Sequence, residues 1–348
     1  MHLNSILRRL PIAIAALFVL TATACGGSSS GASGPVDVRL GYFANITHAT
    51  ALVGVANGTY GQELGSLGKL KTSTFNAGPA AVEALLSGAI DMSYVGPNPA
   101  VNAYVQSHGS AVRIISGATS GGASLVVKKS INSAADLKGK KLATPQLGGT
   151  QDVALRYWLG VNGLTTDSSG GGDVSILPQD NAQTLTTFQA GAIDGAWVPE
   201  PWATRLVQEG GGRVLVDERS LWPSGEFVST VLLVRKDFLD AHPAQVKAIL
   251  RAQVKTNRYL ADHPTESQTA ANAQILAITG KALKPATIAA SWANLKFTND
   301  PIASSLRSDV SHAQKEGLLK STDIKNLFDL SLLNAVLKDA AEPAVKAT

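Results

Sequence analysis

Residues 84–100 read ALLSGAIDMSYVGPNPA, and residues 187–203 read TFQAGAIDGAWVPEPWA. The two segments share the letters GAID, and the glycines of those letters, Gly88 and Gly191, are 103 residues apart. Each segment reads as a helix that ends at a glycine, then a short buried strand, then a proline-containing turn that begins another helix. A repeat of this length indicates a duplicated lobe rather than a solenoid.

The similarity between the two copies extends upstream. Each copy begins with a strand, a helix and a second strand before it reaches the repeated segment. The predicted strands are 36–43 and 70–75 in the first copy and 140–145 and 174–177 in the second, with helices at 47–57 and from Thr150 through Val161. Strand, helix, strand, helix and strand, repeated twice, predict an α/β fold of two open, mostly parallel sheets with right-handed crossovers.

The facing edges of two such sheets predict a cleft. Ligands of open α/β sheets bind beyond the carboxyl ends of the strands, where helix N-termini point. Backbone N–H groups and small hydroxyls at these edges suit a small anionic group without any basic side chain. The candidate ligand-binding residues are Tyr42, Asn45, His48, Gly78, Gly96, Asn98, Gly149, Thr150, Gln151, Glu200 and Trp202.

Some of these residues also have a structural interpretation. Thr150 can cap its helix instead of contacting a ligand, and Asn98 is open to both roles. His48 has no partner at metal-ligand spacing, so a surface or capping position is an alternative to ligand contact. Trp202 is the better candidate for a cleft wall, because Trp197 lies in a strand that reads as buried.

The aspartates of the repeat and the C-terminal third are predicted to be structural. Asp91 and Asp194 follow a buried Gly-Ala-Ile run and are expected to bind backbone or neighbouring turns. The C-terminal third reads as helices whose apolar residues recur every three or four positions, which favours core packing over a docking surface. These helices are predicted at 238–261, 266–279, 285–295 and 300–316.

Composition and motifs give little support to an enzyme or a nucleic-acid-binding protein. The net charge is +4, and it falls to +2 when Arg8 and Arg9 in a removable leader are left out, so no basic surface is indicated. The sequence has no H-E-x-x-H, G-x-G-x-x-G or P-loop pattern, and GSSSG at 27–31 lacks the strand and helix of a nucleophile elbow. We therefore expect no catalytic residue, no metal and no cofactor.

The first residues read as an export signal. A basic start and an apolar run at 10–20, too short to span a membrane, lead to Cys25, the only cysteine. Together with the Gly/Ser run that follows, Cys25 resembles a bacterial lipoprotein processing site, with a signal peptide at 1–24 and a lipidated tether at 25–35. The alternative is an ordinary cleaved signal peptide with an incidental cysteine. In both cases the protein is expected outside the cytoplasm, and in the first it is anchored to the cell membrane.

Several motifs together resemble the aliphatic-sulfonate, taurine and nitrate-binding proteins of ABC importers, over roughly residues 36 to 300. The motifs are EALLSGAID at 83–91, VKKSI at 127–131, ADLKGKKLA at 135–143, Gly149-Thr150, FQAGAID at 188–194 and Glu200-Pro201. The resemblance implies a type II periplasmic-binding fold with residues 36–122 and 230–348 as lobe one, 123–229 as lobe two, and two crossing strands as the hinge.

The same resemblance implies a function. The chain would be a monomeric receptor that closes on a small, anionic solute of the sulfonate, taurine or nitrate type and delivers it to an ABC permease and its ATPase. Two alternatives stay open: an enzyme or receptor of the related branch that handles the pyrimidine of thiamine, and a surface lipoprotein without a transport role.

Overall fold

The chain folds into two β-sheets with helices on their faces, described over residues 34–347 in a computed structural model. The predicted signal peptide and Cys25 lie outside these residues. Within the described range, no helix combines the length and the apolar composition that a membrane span requires. The strands of this range are β1 (Val38–Tyr42), β2 (Leu70–Thr74), β3 (Met92–Val95), β4 (Val112–Gly121), β5 (Ala123–Val127), β6 (Lys141–Thr144), β7 (Ser175–Pro178), β8 (Gly195–Pro199), β9 (Arg213–Asp217), β10 (Val228–Arg235) and β11 (Leu295–Phe297).

Helices flank both sheets. The three helices between residues 150 and 208 pack on the second sheet, and most of the others pack on the first. The helices of residues 34–347 are α1 (Ala49–Ala56), α2 (Thr59–Leu64), α3 (Gly78–Leu86), α4 (Pro97–Gln106), α5 (Thr150–Val161), α6 (Asn181–Gln189), α7 (Trp202–Gln208), α8 (Lys236–Ala241), α9 (Pro243–Asp262), α10 (Pro264–Thr279), α11 (Pro285–Trp292), α12 (Ala303–Lys315) and α13 (Ser331–Asp339).

The strand order is β11-β4-β10-β3-β1-β2 in the first sheet and β7-β6-β8-β5-β9 in the second. As the repeat predicts, β1 is parallel to β2 and β3, and β6 is parallel to β7 and β8. However, β10 is antiparallel to β3 and β4, and β5 is antiparallel to β8 and β9. The sheets are therefore mixed rather than mostly parallel, because the strands that follow each crossing between the sheets enter against the direction of their neighbours.

The chain crosses between the sheets at two places. The first crossing is the pair Gly121-Gly122, and the return runs over residues 218–227, between β9 and β10. Both glycines have left-handed backbone, with φ of 80° and 75°, which other residues adopt at a cost. A Cβ added at Gly121 would also lie 2.6 Å from the backbone oxygen of Asn294. Backbone conformation and space therefore both require glycine at this joint.

The structural role predicted for the two aspartates of the repeat is confirmed. Asp91 Oδ2 accepts a hydrogen bond of 2.9 Å from the backbone N–H of Arg39, and its carboxylate pairs with the guanidinium of the same residue. Asp194 Oδ2 accepts a hydrogen bond of 2.9 Å from the backbone N–H of Lys141, and its Oδ1 pairs with Lys128 Nζ at 2.9 Å. Each carboxylate thus fixes the start of the neighbouring parallel strand.

The C-terminal helices pack on the core, as predicted, but two of their boundaries were wrong. The helix predicted over 238–261 is two helices, because Pro243 begins a new one after residue 241. The helix predicted through residue 295 ends at Trp292, and Leu295–Phe297 pairs instead with the edge of β4. The core-facing side of α9 includes Val246, Ile249 and Leu250, all fully buried.

Candidate functional site

Three helices begin at the facing edges of the two sheets. α3 begins at Gly78 and α4 at Pro97, after strands of the first sheet, whereas α5 begins at Thr150, after a strand of the second. Because β2 and β3 are both parallel to β1, their carboxyl ends place α3 and α4 at one edge of the first sheet, and β6 places α5 at the edge of the second sheet that faces it. Helix N-termini carry free N–H groups and a partial positive charge, so this edge can hold an anion. In α4, residues 97 and 99 are prolines, so among its first three residues only Asn98 supplies an N–H.

The edges enclose a narrow cleft whose volume, measured for the centre of a water molecule, is about 30 Å³. Within residues 34–347, its lining consists of small, amide, hydroxyl and apolar residues together with one histidine, and it includes no aspartate, glutamate, lysine or arginine. The lining residues are Phe43, Asn45, Thr47, His48, Asn76, Ala77, Gly78, Gly96, Pro99, Pro145, Gln146, Gly149, Thr150, Gln151, Asn181, Pro199 and Ser229.

Most of the predicted ligand-binding residues come together here. The structure places seven of the eleven in the lining, and they derive from both copies of the repeat. These seven are Asn45, His48, Gly78, Gly96, Gly149, Thr150 and Gln151. Their contact with a ligand remains a prediction, which the geometry makes feasible.

Two other predicted residues are buried behind the cleft and bound to neighbouring structure. The hydroxyl of Tyr42 accepts a hydrogen bond of 2.9 Å from Gln274 Nε2. Glu200 accepts from the backbone N–H of Thr204 at 3.1 Å and from Asn294 Nδ2 at 2.7 Å. The Glu200 carboxylate therefore joins its own helix to a residue beside the first sheet, and it is absent from the described lining.

The last two predicted residues adjoin the lining. Trp202 donates a hydrogen bond of 2.9 Å from Nε1 to Asn45 Oδ1, so the indole fixes a side chain that does line the cleft. Asn98 is buried in the first turn of α4, next to Gly96, and its Oδ1 has no hydrogen-bond partner in the described chain. Trp202 can therefore act on a ligand through Asn45.

His48 is a neutral donor at the cleft. Its ring stacks on the ring of Phe43 with centroids 4.2 Å apart, and its Nδ1 accepts a hydrogen bond of 3.3 Å from the backbone N–H of Phe43. Since Nδ1 accepts, the ring proton is on Nε2. Burial lowers the pKa of His48 to about 3, so the imidazole is uncharged at neutral pH.

Two polar atoms in the lining lack a hydrogen-bond partner within residues 34–347, and the residues that carry them are more than nine-tenths buried. They are Thr150 Oγ1 and Asn181 Oδ1. A buried polar atom left unpaired costs about 1–3 kcal/mol, so such atoms are rare in folded proteins. Their position at the cleft leaves both atoms available to a bound molecule or to water.

Asn181 and Ser229 were not among the predicted ligand-binding residues. Asn181 had a usable signal, because it begins α6 directly after β7, at the same edge as the other helix N-termini. Ser229 had none, because it belongs to β10, which enters the first sheet from the return crossing.

The two sides of the cleft are in direct contact. The backbone N–H of Ile46 donates to the carbonyl of Glu200 at 3.1 Å, and Asn76 Nδ2 donates to Asp180 Oδ2 at 3.1 Å. A Cβ added at Gly96, on the first side, would lie 2.2 Å from Thr150 Oγ1 on the second. The absence of a side chain at residue 96 therefore allows the N-termini of α4 and α5 to approach each other.

Comparison with known proteins agrees with this architecture. The taurine-binding periplasmic protein of Escherichia coli is 31% identical over 231 residues, which are 65% of this chain and 68% of that protein. The alkanesulfonate-binding protein SsuA from Xanthomonas axonopodis pv. citri, solved bound to MOPS, superposes with a TM-score of 0.67 at 20% identity, covering 84% of this chain and 96% of that one. The periplasmic nitrate-binding protein NrtA from Synechocystis PCC 6803 superposes with a TM-score of 0.73 at 18% identity, covering 89% and 90%. Residues 31–277 match the NMT1-like family, and the chain belongs to that family.

Proposed function

We propose that this chain is the extracytoplasmic solute-binding component of an ABC importer, and that it captures a small anion between its two sheets. The observation that carries the proposal is the convergence of three helix N-termini on a cleft in which two buried polar atoms, Thr150 Oγ1 and Asn181 Oδ1, lack partners within residues 34–347. Proteins named for binding taurine, alkanesulfonate and nitrate share its family or its fold, and each of those names denotes a molecule with an anionic group.

The charge of the anion is balanced by backbone dipoles in this proposal. Each helix N-terminus contributes roughly half an elementary positive charge, which falls off within the first turn. α3, α4 and α5 begin in or beside the lining, and the described lining holds no lysine or arginine. The hydroxyl of Thr150 and the Nε2–H of His48 add neutral donors. This arrangement suits a monovalent head group better than a dianion, which would lack a compensating charge.

Capture is proposed to proceed by closure of two lobes, residues 36–122 with 230–348 and residues 123–229. Gly121-Gly122 and the return crossing are the covalent links between them. Ligand favours the closed arrangement because it contacts both sides at once, and a ligand shifts an equilibrium by its difference in affinity for the two states. The closed monomer would then dock on a membrane permease, and a lipid on Cys25 would keep it near that partner.

A catalytic role finds less support in the cleft. General acid–base chemistry needs groups whose pKa lies near the working pH. In the described lining, His48 is the one side chain of the His, Asp, Glu, Lys, Tyr and Cys types, and its pKa is lowered to about 3. The lining therefore offers hydrogen-bond donors and acceptors rather than an acid and a base.

A ligand panel tests the proposed function. Thermal unfolding of the purified chain is measured with taurine, short alkanesulfonates, nitrate, bicarbonate and pyrimidine precursors. A ligand at about 100 times its Kd adds roughly 2.7 kcal/mol of stability, which raises Tm by several degrees. We expect the anions with a sulfonate or nitrate group to give that shift. A shift with pyrimidines alone would contradict the proposal.

The Thr150→Val variant tests whether the ligand binds at the N-terminus of α5. The substitution removes a buried hydroxyl that lacks a partner within residues 34–347, so the ligand-free protein should become about 1 kcal/mol more stable. The same change removes a donor to the ligand, so affinity should fall about tenfold, which calorimetric titration measures. Thr322→Val, at an exposed threonine, is the matched control and should change neither quantity. Unchanged affinity in Thr150→Val would show that the ligand does not bind at the N-terminus of α5.

A further inference from the structure

We propose that Asn294 is a positioning residue for the closure of the two lobes: its side chain connects both crossings between the sheets and fixes the axis about which the lobes rotate. Asn294 lies in the first lobe, between α11 and β11, and is absent from the described lining of the cleft. This inference rests on the proposed function, because lobe closure is the process that the residue guides.

The first observation is that the side-chain amide of Asn294 joins two opposite charges. Its Nδ2 donates a hydrogen bond of 2.7 Å to Glu200 Oε1, and its Oδ1 accepts one of 3.1 Å from Arg219 Nη2. An amide that donates to an anion and accepts from a cation has one favourable orientation, since a flipped amide would present the wrong atom to each charge. The amide therefore holds the carboxylate and the guanidinium at a fixed separation.

The second observation is that these two charged residues belong to the two crossings. Arg219 lies in the return crossing, which runs over residues 218–227. Glu200 follows β8, and its backbone N–H donates to the carbonyl of Gly122, in the first crossing, at 2.8 Å. One side chain of the first lobe therefore connects with both links between the lobes.

The backbone of Asn294 also lies against the first crossing. Its carbonyl oxygen occupies the position that a side chain at Gly121 would need, 2.6 Å from an added Cβ. At the same glycine, the backbone N–H donates to the carbonyl of Phe227 at 3.2 Å, so the two crossings adjoin there. The amide of Asn294 and the point where the crossings meet are thus parts of one cluster of contacts.

The third observation is that the rim of the cleft has a weaker contact between the lobes. There Asn76 Nδ2 donates to Asp180 Oδ2 at 3.1 Å, and both residues are exposed, so water can replace either partner. At the crossings, by contrast, Glu200 is 2% exposed. A motion that opens the cleft can therefore break the rim contact and keep the contact between Glu200 and Asn294, which is a hinge rotation.

A fixed axis has a consequence for affinity. The glycine pair of the first crossing permits many backbone conformations, so without a further contact the open lobes could separate in several directions. A connection between the crossings restricts the open state to one rotation. Less conformational freedom is then lost when ligand closes the lobes, which strengthens binding. Asn294 thus acts on affinity without touching the ligand.

Distances across the rim test this role. Spin labels at exposed positions of α3 and α6, introduced as Glu83→Cys and Gln183→Cys, report the separation of the lobes by pulsed electron paramagnetic resonance. Cys25→Ser in the same full chain removes the only other cysteine. Without ligand, we expect a narrow distance distribution when Asn294 is present and a broader one, extended to longer distances, in Asn294→Leu.

Affinity is the second readout. Calorimetric titration with taurine, ethanesulfonate and nitrate identifies which of them binds the native protein most tightly. Asn294→Leu should bind that anion about fivefold more weakly, the equivalent of one net hydrogen bond. Asn294→Asp keeps the acceptor for Arg219 but sets a second carboxylate against Glu200, so it should broaden the distance distribution as well.

Asn272→Leu is the matched control. Asn272 is half-buried like Asn294, and its amide also makes two hydrogen bonds, to the backbone N–H and carbonyl of Leu283 at 2.7 and 3.0 Å, within the first lobe. The control should lower Tm as Asn294→Leu does but leave the distance distribution and the affinity unchanged. It therefore separates the loss of two hydrogen bonds from the loss of the connection between the crossings.

Two results would overturn the role of Asn294. One is a ligand-free distribution of the same width in the native protein, Asn294→Leu and Asn294→Asp, and the other is equal broadening in Asn272→Leu. A native distribution that taurine, ethanesulfonate and nitrate all leave unchanged would instead overturn closure on an anion, and with it the proposed function. The ligand-free widths would still decide whether Asn294 restricts the lobes.

Discussion

In both copies of the repeat, an aspartate directly before a strand binds the backbone of the neighbouring parallel strand. The strand is β3 in the first copy and β8 in the second. Asp91 does so for Arg39, and its side chain is 2% exposed, whereas Asp194 does so for Lys141 with 22% of its side chain exposed. Both contacts fix the register of parallel strands within the first two residues of β1 and β6. Both copies therefore use the same aspartate contact, and the aspartate is more deeply buried in the first copy than in the second.

The middle of each strand carries a buried aromatic residue with a polar atom. Tyr94 in β3 shares a hydrogen bond of 2.6 Å between hydroxyls with Tyr60, so its partner is neutral. Trp197, at the matching position of β8, donates from Nε1 to the carboxyl of Glu218 at 2.7 Å. The second copy therefore holds an ionisable acid where the first holds an uncharged network.

The ends of the strands differ most. After β3, Gly96 leaves space at the cleft, and after β8, Glu200 is buried in hydrogen bonds that reach Asn294 beside the first sheet. The turn after β3 in the first copy thus leaves open space at the cleft, and the turn after β8 in the second copy makes hydrogen bonds between the two sheets. A duplicated framework can therefore keep its strand contacts while the turns after the two strands take on different roles.

The largest expected difference between the copies is in stability. Asp91→Asn removes one partner of a buried ion pair, which costs 3–5 kcal/mol when both partners are buried. Because Arg39 is partly exposed, we expect about 3 kcal/mol for Asp91→Asn and about 1 kcal/mol for Asp194→Asn. Urea unfolding of the two variants measures both values. Equal losses of unfolding free energy in the two variants would show that the depth of burial does not distinguish the two aspartate contacts.

The next effect concerns the open end of the first copy. Gly96→Ala places a Cβ 2.2 Å from Thr150 Oγ1, so either the Thr150 side chain turns away or the two sides of the cleft separate. Overpacking of this kind costs about 2 kcal/mol, or roughly thirtyfold in ligand affinity if closure is needed for binding. Titration with the best ligand of the panel measures it. Gly61→Ala is the control, since a Cβ there meets nothing within 4 Å, and affinity equal to that of the control would refute the role of Gly96 in closure.

The smallest expected effect is a pH dependence of stability, which the partner of Trp197 in the second copy has and the partner of Tyr94 in the first copy lacks. Burial raises the pKa of Glu218 to about 7, against about 4.5 for an unburied glutamate, so stability from this group is lost as pH rises from about 4.5 through about 7. Glu218→Gln removes that loss and keeps an acceptor for Trp197. We expect the variant to match the native protein at pH 5 and to exceed it by about 1–2 kcal/mol at pH 8.

Urea unfolding at both pH values measures the difference, with Glu83→Gln, at an exposed glutamate, as the control. An advantage of the same size at both pH values would show that Glu218 does not titrate between them. In the first copy, the partner of Tyr94 is another tyrosine, whose pKa is raised still further from neutrality by burial, so no matching pH effect is expected there.

The repeat could be read from local patterns, and with it the edge where the cleft lies. Gly96, Gly149 and Thr150 were placed there because each follows a strand that the local pattern already marks as parallel. The orientation of Glu200 could not be read in this way, since its carboxylate is held by Asn294, which is distant in sequence. The antiparallel entry of β10 was equally hidden, because a buried apolar run does not reveal its partner strands.

The two crossings also dictate an order of assembly. The second sheet comes from one unbroken stretch, residues 123–217, whereas the first has β10 between β3 and β4. A chain that emerges N-terminus first can therefore complete its second sheet while the first still lacks its middle strand. Until residues 228–235 arrive, the edges of β3 and β4 are open to pairing with other chains. The nascent chain is thus most exposed to aggregation while the residues of the second sheet emerge, and a holding chaperone has most to protect at that stage.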